Sequence, residues 1–226
     1  MSKMDPAGAV DDVPTMTVDI VSDVVCPWCY IGKRRLEAAL AAREAPAPMV
    51  RWHPFQLNPD IPAGGVDRRS YLEEKFGGPE RAREIYARVE AAGREVGIPF
   101  RFEKIARQPN TSDAHRLIAW AQAEAPASAD RLVERLFEAY FTEGVDIGVV
   151  HELVRLAAEA GCDPDAARAH LESAAGRAEL TEADAQMKSM GIGGVPFFIF
   201  NRRVAVSGAQ PPELLADALA QAQQAT

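Results

Sequence analysis

The sequence predicts an α/β fold in which a long block of helices interrupts a small sheet. Three observations carry that reading. Near the N-terminus, Met16, Val18 and Ile20 alternate with Thr17 and Asp19, the period of a strand. From about residue 67 to residue 190 strand signal almost vanishes, and apolar residues recur at helical spacing. Strand signal then returns at residues 195–200 and 203–206. The expected order is βαβ, a run of helices, then ββα.

Each element has its own cue. Residues 1–13 are small, polar and acidic and are expected to be disordered. A strand is expected over 15–21, and a helix over 31–43 with Ile31, Leu36, Ala39 and Leu40 on its apolar face. A second strand, 50–55, ends at Pro54 and the turn Leu57-Asn58-Pro59. A linking helix is the usual route between parallel strands, so these elements form a βαβ unit. A helix over 67–76 breaks at Gly77-Gly78-Pro79, and one over 80–96 aligns Ile85, Val89, Ala92 and Val96. Thr111 or Ser112 can cap a helix holding Leu117, Ile118 and Trp120. Helices over 129–141 and 149–159 follow, the second closed by Gly161. Asp163-Pro164 pairs an N-cap with a first-turn proline. A helix over 181–190 ends at Gly191. Asn201-Arg202 is short enough to turn a hairpin, and Pro211-Pro212 opens a last helix with Leu214, Leu215, Ala218 and Leu219.

Composition narrows the function. The 226 residues are 47% hydrophobic, enough for a packed core. A net charge of −8 and only short basic runs, Lys33-Arg34-Arg35 and Arg202-Arg203, argue against a nucleic-acid partner. No stretch approaches the roughly 20 apolar residues that span a bilayer. The first residues carry Asp5, Asp11 and Asp12 and lack the apolar core of a secretory signal. A cytoplasmic location, with no membrane partner, is therefore expected.

There are three cysteines, Cys26, Cys29 and Cys162, too few for a disulfide scaffold. Cys26-Pro27-Trp28-Cys29 follows a strand and opens a helix. There, unpaired backbone N–H groups and the helix dipole favour an anionic sulfur at Cys26. Pro27 suits the first helical position, since its missing N–H would lack a partner anyway. Two intervening residues put Cys29 one turn on, within reach of a disulfide. Cys26 is the expected exposed nucleophile and Cys29 the resolving thiol. Half of a zinc site is an alternative. Zinc needs four ligands, however, and His53, His115, His151 and His170 are scattered, with no second CxxC. A purely structural pair is the other alternative. No metal is expected. Cys162, between two helices, reads as a bystander.

Cys26-Pro27-Trp28-Cys29-Tyr30-Ile31-Gly32, preceded by Ser22-Asp23, resembles the DsbA-like thioredoxin superfamily, and within it the FrnE-like branch. Three further segments carry the same resemblance: Trp52-His53-Pro54-Phe55-Gln56-Leu57-Asn58-Pro59, Asn110-Thr111 with Ala114-His115-Arg116, and Gly193-Gly194-Val195-Pro196-Phe197-Phe198 with Ser207-Gly208-Ala209-Gln210. It spans about residues 16–222. The resemblance implies a thioredoxin fold with a large inserted all-helical domain: residues 14–62 and 177–226 for the first, 63–176 for the second. It also implies a cis Val195-Pro196 bond facing the CxxC.

Together these readings assign Cys26, Pro27, Trp28 and Cys29 to catalysis, and Gly194, Val195, Pro196, Asn58 and His115 to substrate binding. His115 held by a backbone carbonyl, and Asn58 as a plain turn residue, are the alternatives. Two departures from the resemblance matter. The buried acid that many thioredoxin-like proteins carry six residues before the first cysteine is here Ile20, which leaves water or Asp23 as the proton acceptor of Cys29. Trp28 stands where DsbA has a histidine, which implies a less extreme thiolate. The expected activity is thiol–disulfide exchange on protein or small-molecule disulfides and dithiols. It needs no cofactor, although glutathione could be a co-substrate, and a homodimer is allowed. A glutathione-dependent isomerase or transferase of the 2-hydroxychromene-2-carboxylate isomerase type, and a non-catalytic partner in a biosynthetic pathway, are the competing readings. The first competitor resembles enzymes with serine in place of Cys26.

Overall fold

The structure, a computed structural model, describes residues 16–224; the segment expected to be disordered lies outside them. Strand β1 (Thr17–Ser22) is central, with helix α1 (Pro27–Ala41) and strand β2 (Met49–Pro54) after it. β2 runs parallel to β1, with Ile20 opposite Trp52. Strands β5 (Phe197–Phe200) and β6 (Val204–Ser207) complete a sheet of order β2-β1-β5-β6, in which β5 is antiparallel to both its neighbours. A central strand must be apolar on both faces. Val18 and Ile20 are buried in the main core, and Val21 joins Phe55, Met187 and Ile192 in a smaller cluster on the other face. Asp19 shares that second face, and its carboxylate accepts from His53 Nε2 at 2.8 Å. The final helix α9 (Pro212–Gln224) packs against α1 and β6 and buries Leu215 and Leu219.

Between β2 and β5 lie α2 (Arg68–Phe76), α3 (Pro79–Glu95), α4 (Ser112–Glu124), α5 (Pro126–Glu138), α6 (Val150–Glu159), α7 (Pro164–Glu172) and α8 (Arg177–Ser189). The insertion is not wholly helical. Residues Val66–Asp67 (β3) and Arg107–Gln108 (β4) form a two-residue antiparallel ladder, too short for any alternation to show in sequence. Other bounds also differ from expectation. α1 starts at Pro27, because the Cys26 N–H bonds to the Asp23 carbonyl at 3.0 Å and closes a turn directly before it. The helix expected over 129–141 gives way after Glu138 to a π-turn, Ala139–Glu143, ended by Gly144 at φ 79°. The hairpin loop includes Arg203, since Phe200 pairs with Val204, while Asn201 and Arg202 both take positive φ.

The helical block docks onto the sheet unit through α1. Tyr30 stacks on Phe137 with ring centroids 5.1 Å apart, and its hydroxyl donates to Glu134 at 2.9 Å. Lys33, whose side chain is 4% exposed, bridges from α1 to Asp130 at 3.3 Å and Glu134 at 3.0 Å on α5, and also pairs with Glu37. Stacked rings and a shared set of carboxylates hold α1 to the block.

Candidate functional site at Cys26 and Cys29

Cys26 is the N-cap of α1, in extended conformation, with Pro27 at the first helical position. That places its sulfur at the positive end of the helix dipole. Both cysteines of the motif are free thiols. The expected exposure of Cys26 needs correction: it is 6% exposed and Cys29 is 2% exposed. Cys26 is reached through a cavity of about 200 Å³ that it helps to line, and Cys29 is absent from that lining. The two sulfurs are thus distinguished by what they face.

Cys29 carries the clearer electrostatic signature. Burial pushes its thiol well above the ordinary value, and the adjoining Cys26 adds to the rise. The Ser22 hydroxyl and the Asp23 backbone pull the other way. Ser22 Oγ is itself buried without a well-aligned hydrogen bond among the described residues. The Asp23 side chain is committed elsewhere: one oxygen accepts from the Leu57 N–H at 2.9 Å, the other lies 3.3 Å from His115 Nε2.

Opposite the motif, the Val195-Pro196 peptide bond is cis. The Cys26 Sγ–H donates to the Val195 carbonyl at 3.7 Å. Pro196 sits against Gly32 of α1 so closely that a Cβ there would lie 2.9 Å from Pro196 Cγ. A glycine on this face of the helix lets the proline loop approach the cysteines.

The structure brings together most of the expected site. Pro27, Trp28 and Asn58 line the Cys26 cavity, and Trp28 is 38% exposed. Gly194 lies in the bend before Pro196 and outside the cavity lining. His115 is 4% exposed, away from the cavity, and its partner is the Asp23 carboxylate, not a backbone carbonyl. Cys162 is buried at the α6–α7 junction, with its thiol raised by burial. Among the described residues no cluster of three or more histidine, cysteine or carboxylate side chains could hold a metal.

Sequence reading missed the far wall. Tyr71, Leu72 and Lys75 of α2 and Tyr86 of α3 line the cavity beside Cys26. Burial holds the Tyr86 phenol above its ordinary value, with Arg68 opposing the rise and Cys26 adding to it. It therefore remains a hydrogen-bond donor across the working pH range. Helical periodicity marked Ile85 and Val89 but carried no signal for the tyrosine between them.

Comparison with known proteins gives this arrangement a context. Residues 17–220 match the family described as the DSBA-like thioredoxin domain. A probable DsbA oxidoreductase from Streptomyces coelicolor is 32% identical, with a TM-score of 0.85 over 93% of this chain and 91% of that one. The cytosolic disulfide reductase DsbM from Pseudomonas aeruginosa is 21% identical, with a TM-score of 0.67 over 92% of this chain and 100% of that one. A 2-hydroxychromene-2-carboxylate isomerase is 18% identical, with a TM-score of 0.67 over 91% of this chain and 95% of that one. The last two show the fold alone.

Proposed function

The chain belongs to the DsbA-like thioredoxin-domain family, and on that footing we propose that it is a thiol–disulfide oxidoreductase with Cys26 as nucleophile and Cys29 as resolving thiol. The observation that carries this reading is the asymmetry of the two sulfurs. Cys26 opens to a cavity at a helix N-terminus, while Cys29 is enclosed and its thiol is raised.

In the reductive direction the Cys26 thiolate attacks one sulfur of the substrate disulfide. That S–S bond breaks, a mixed disulfide forms at Cys26, and the other substrate sulfur leaves with the electron pair and takes up a proton. Cys29 then loses its proton and attacks Cys26 Sγ. The mixed disulfide breaks, the second substrate thiol departs, and Cys26 and Cys29 become a disulfide. Two electrons pass from protein to substrate, and the same steps reversed make a disulfide in the substrate. The Val195 carbonyl, within reach of Cys26, offers an acceptor to a backbone N–H of a peptide substrate.

Asp23 and His115 serve this site as positioning residues. Their contact fixes the Ser22-Asp23 segment whose hydroxyl and backbone act on Cys29. We propose a cytoplasmic setting with glutathione as co-substrate; DsbM, a protein of the same fold, has also been solved with glutathione. Catalysed reduction of insulin by dithiothreitol tests the assignment. The Cys26→Ser variant should lose it, and wild-type rates in that variant would refute the role of Cys26.

A further inference from the structure

The cavity at Cys26 is charged on one side only. The chain has 33 acidic side chains, yet none of those described lines this cavity. Its walls are mostly apolar or aromatic, with Leu57, Tyr71, Phe76 and Tyr86 around Cys26. One cationic side chain lines it, Lys75 in the last turn of α2. The Lys75 Nζ donates to Tyr71 Oη at 2.8 Å and to Asn58 Oδ1 at 3.3 Å, both neutral acceptors. No described carboxylate forms an ion pair with it, although Arg69 and Glu73 of the same helix pair with each other.

A second cation stands behind the wall. Arg68 is 3% exposed and donates to Tyr86 Oη at 3.1 Å, Tyr140 Oη at 2.7 Å and Gln108 Oε1 at 3.0 Å. Its partners too are neutral. Two positive charges therefore flank the phenols that face Cys26, while the buried Asp23 carboxylate, which also acts on Tyr71, lies outside the lining and is held by the Leu57 N–H and His115. Low-dielectric walls strengthen the field that such charges project into a cleft.

We propose that this cavity selects small disulfides carrying a carboxylate, with Lys75 as the residue that reads the charge. The inference rests on the thiol–disulfide reading above and deepens it. The apolar part of one substrate arm lies against Leu57 and Tyr86, its carboxylate meets Lys75, and its sulfur meets Cys26. A volume of about 200 Å³ leaves room for one short substrate arm. The chemistry is the exchange already balanced: one S–S bond breaks, one forms at Cys26, and the departing arm leaves as a thiolate that solvent protonates.

The test uses pre-reduced full-length protein and three disulfides of similar size: dithiodipropionate, which is anionic, bis(2-hydroxyethyl) disulfide, which is neutral, and cystamine, which is cationic. The second-order rate at which each oxidises the protein is read by acid quench and mass spectrometry. Divided by the rate of each disulfide with free dithiothreitol, which removes the difference in leaving-thiol pKa, the expected rates fall in the order anionic, neutral, cationic. In Lys75→Met the anionic-to-neutral ratio should fall roughly three- to tenfold, and Lys75→Arg should restore it. A ratio is insensitive to the fraction of variant that folds. An unchanged ratio in Lys75→Met, or one that Lys75→Arg fails to restore, would overturn the selection by Lys75 and leave the oxidoreductase reading standing. Oxidation by none of the three would overturn both.

Discussion

Cys29 is the residue on which protonation turns. Its thiol is raised, first by burial. A thiol whose folded value is raised contributes stability that is fully present below its unfolded value, about 8.5, and that is lost as pH rises toward the folded value. The unfolded chain releases that proton first, so rising pH favours unfolding. The reduced protein should therefore lose stability as pH rises above about 8.5, and Cys29→Ala should lose less over the same range. Urea titrations from neutral pH upward measure this, and a difference between the two proteins that does not change with pH would contradict it. At this scale the motif residues were legible because CxxC and Val-Pro are local patterns with local chemistry. Lys75, Tyr86 and Gly32 were not, because each acquires its role only when α2, α3 or the Pro196 loop folds against α1. The burial of Cys26 escaped notice for the same reason: its cover comes from distant elements.

Helix α1 is the element that joins the chemistry to the fold. Its N-terminus carries Cys26, its first turn carries Cys29, and its next turn presents Gly32 to the proline loop. A Cβ at residue 32 would lie 2.9 Å from Pro196 Cγ and 3.1 Å from Phe198 Cζ. Gly32→Ala should therefore destabilise the protein by about 1–3 kcal/mol, the usual cost of overpacking. Denaturant unfolding checks this, and a variant as stable as the parent, or more so, would show that the loop yields freely. Helices were the readable elements because their caps and periods are written locally. Asp163, for example, accepts from the N–H groups of Asp165 and Ala166 as an N-cap should. The β3–β4 ladder was not readable, since two residues per strand carry no period. α8 begins at Arg177, four residues before Thr181, because Gly176 turns the chain at φ 77°, a cue that needs the backbone to be seen.

Across the whole molecule, the order βαβ, helices, ββα was visible from the strand-poor middle of the chain. How the two parts pack was not. One continuous hydrophobic cluster crosses the division expected at residues 62/63 and 176/177. Ile20, Tyr30 and Ile31 belong to the same cluster as Leu132, Phe137 and Phe141. Lys33 adds an ionic seam between α1 and α5. Shared cores unfold together. Urea unfolding followed by tryptophan fluorescence and by far-ultraviolet circular dichroism should give one coincident transition. Two separated transitions would show that the helical block is an independent unit. Charge follows the same logic at this scale: in a net −8 chain, none of the described carboxylates lines the cavity that opens to Cys26.

The central claim is that Cys26 attacks and Cys29 resolves, and trapping the intermediate tests it most directly. Reduced Cys29→Ser and Cys26→Ser proteins are each mixed with a small disulfide, quenched with acid and mapped by peptide mass spectrometry. The account predicts a stable mixed disulfide on Cys26 in the first variant and little or none on Cys29 in the second. Adduct formation on Cys29 in Cys26→Ser, at a rate equal to that on Cys26 in Cys29→Ser, would contradict it.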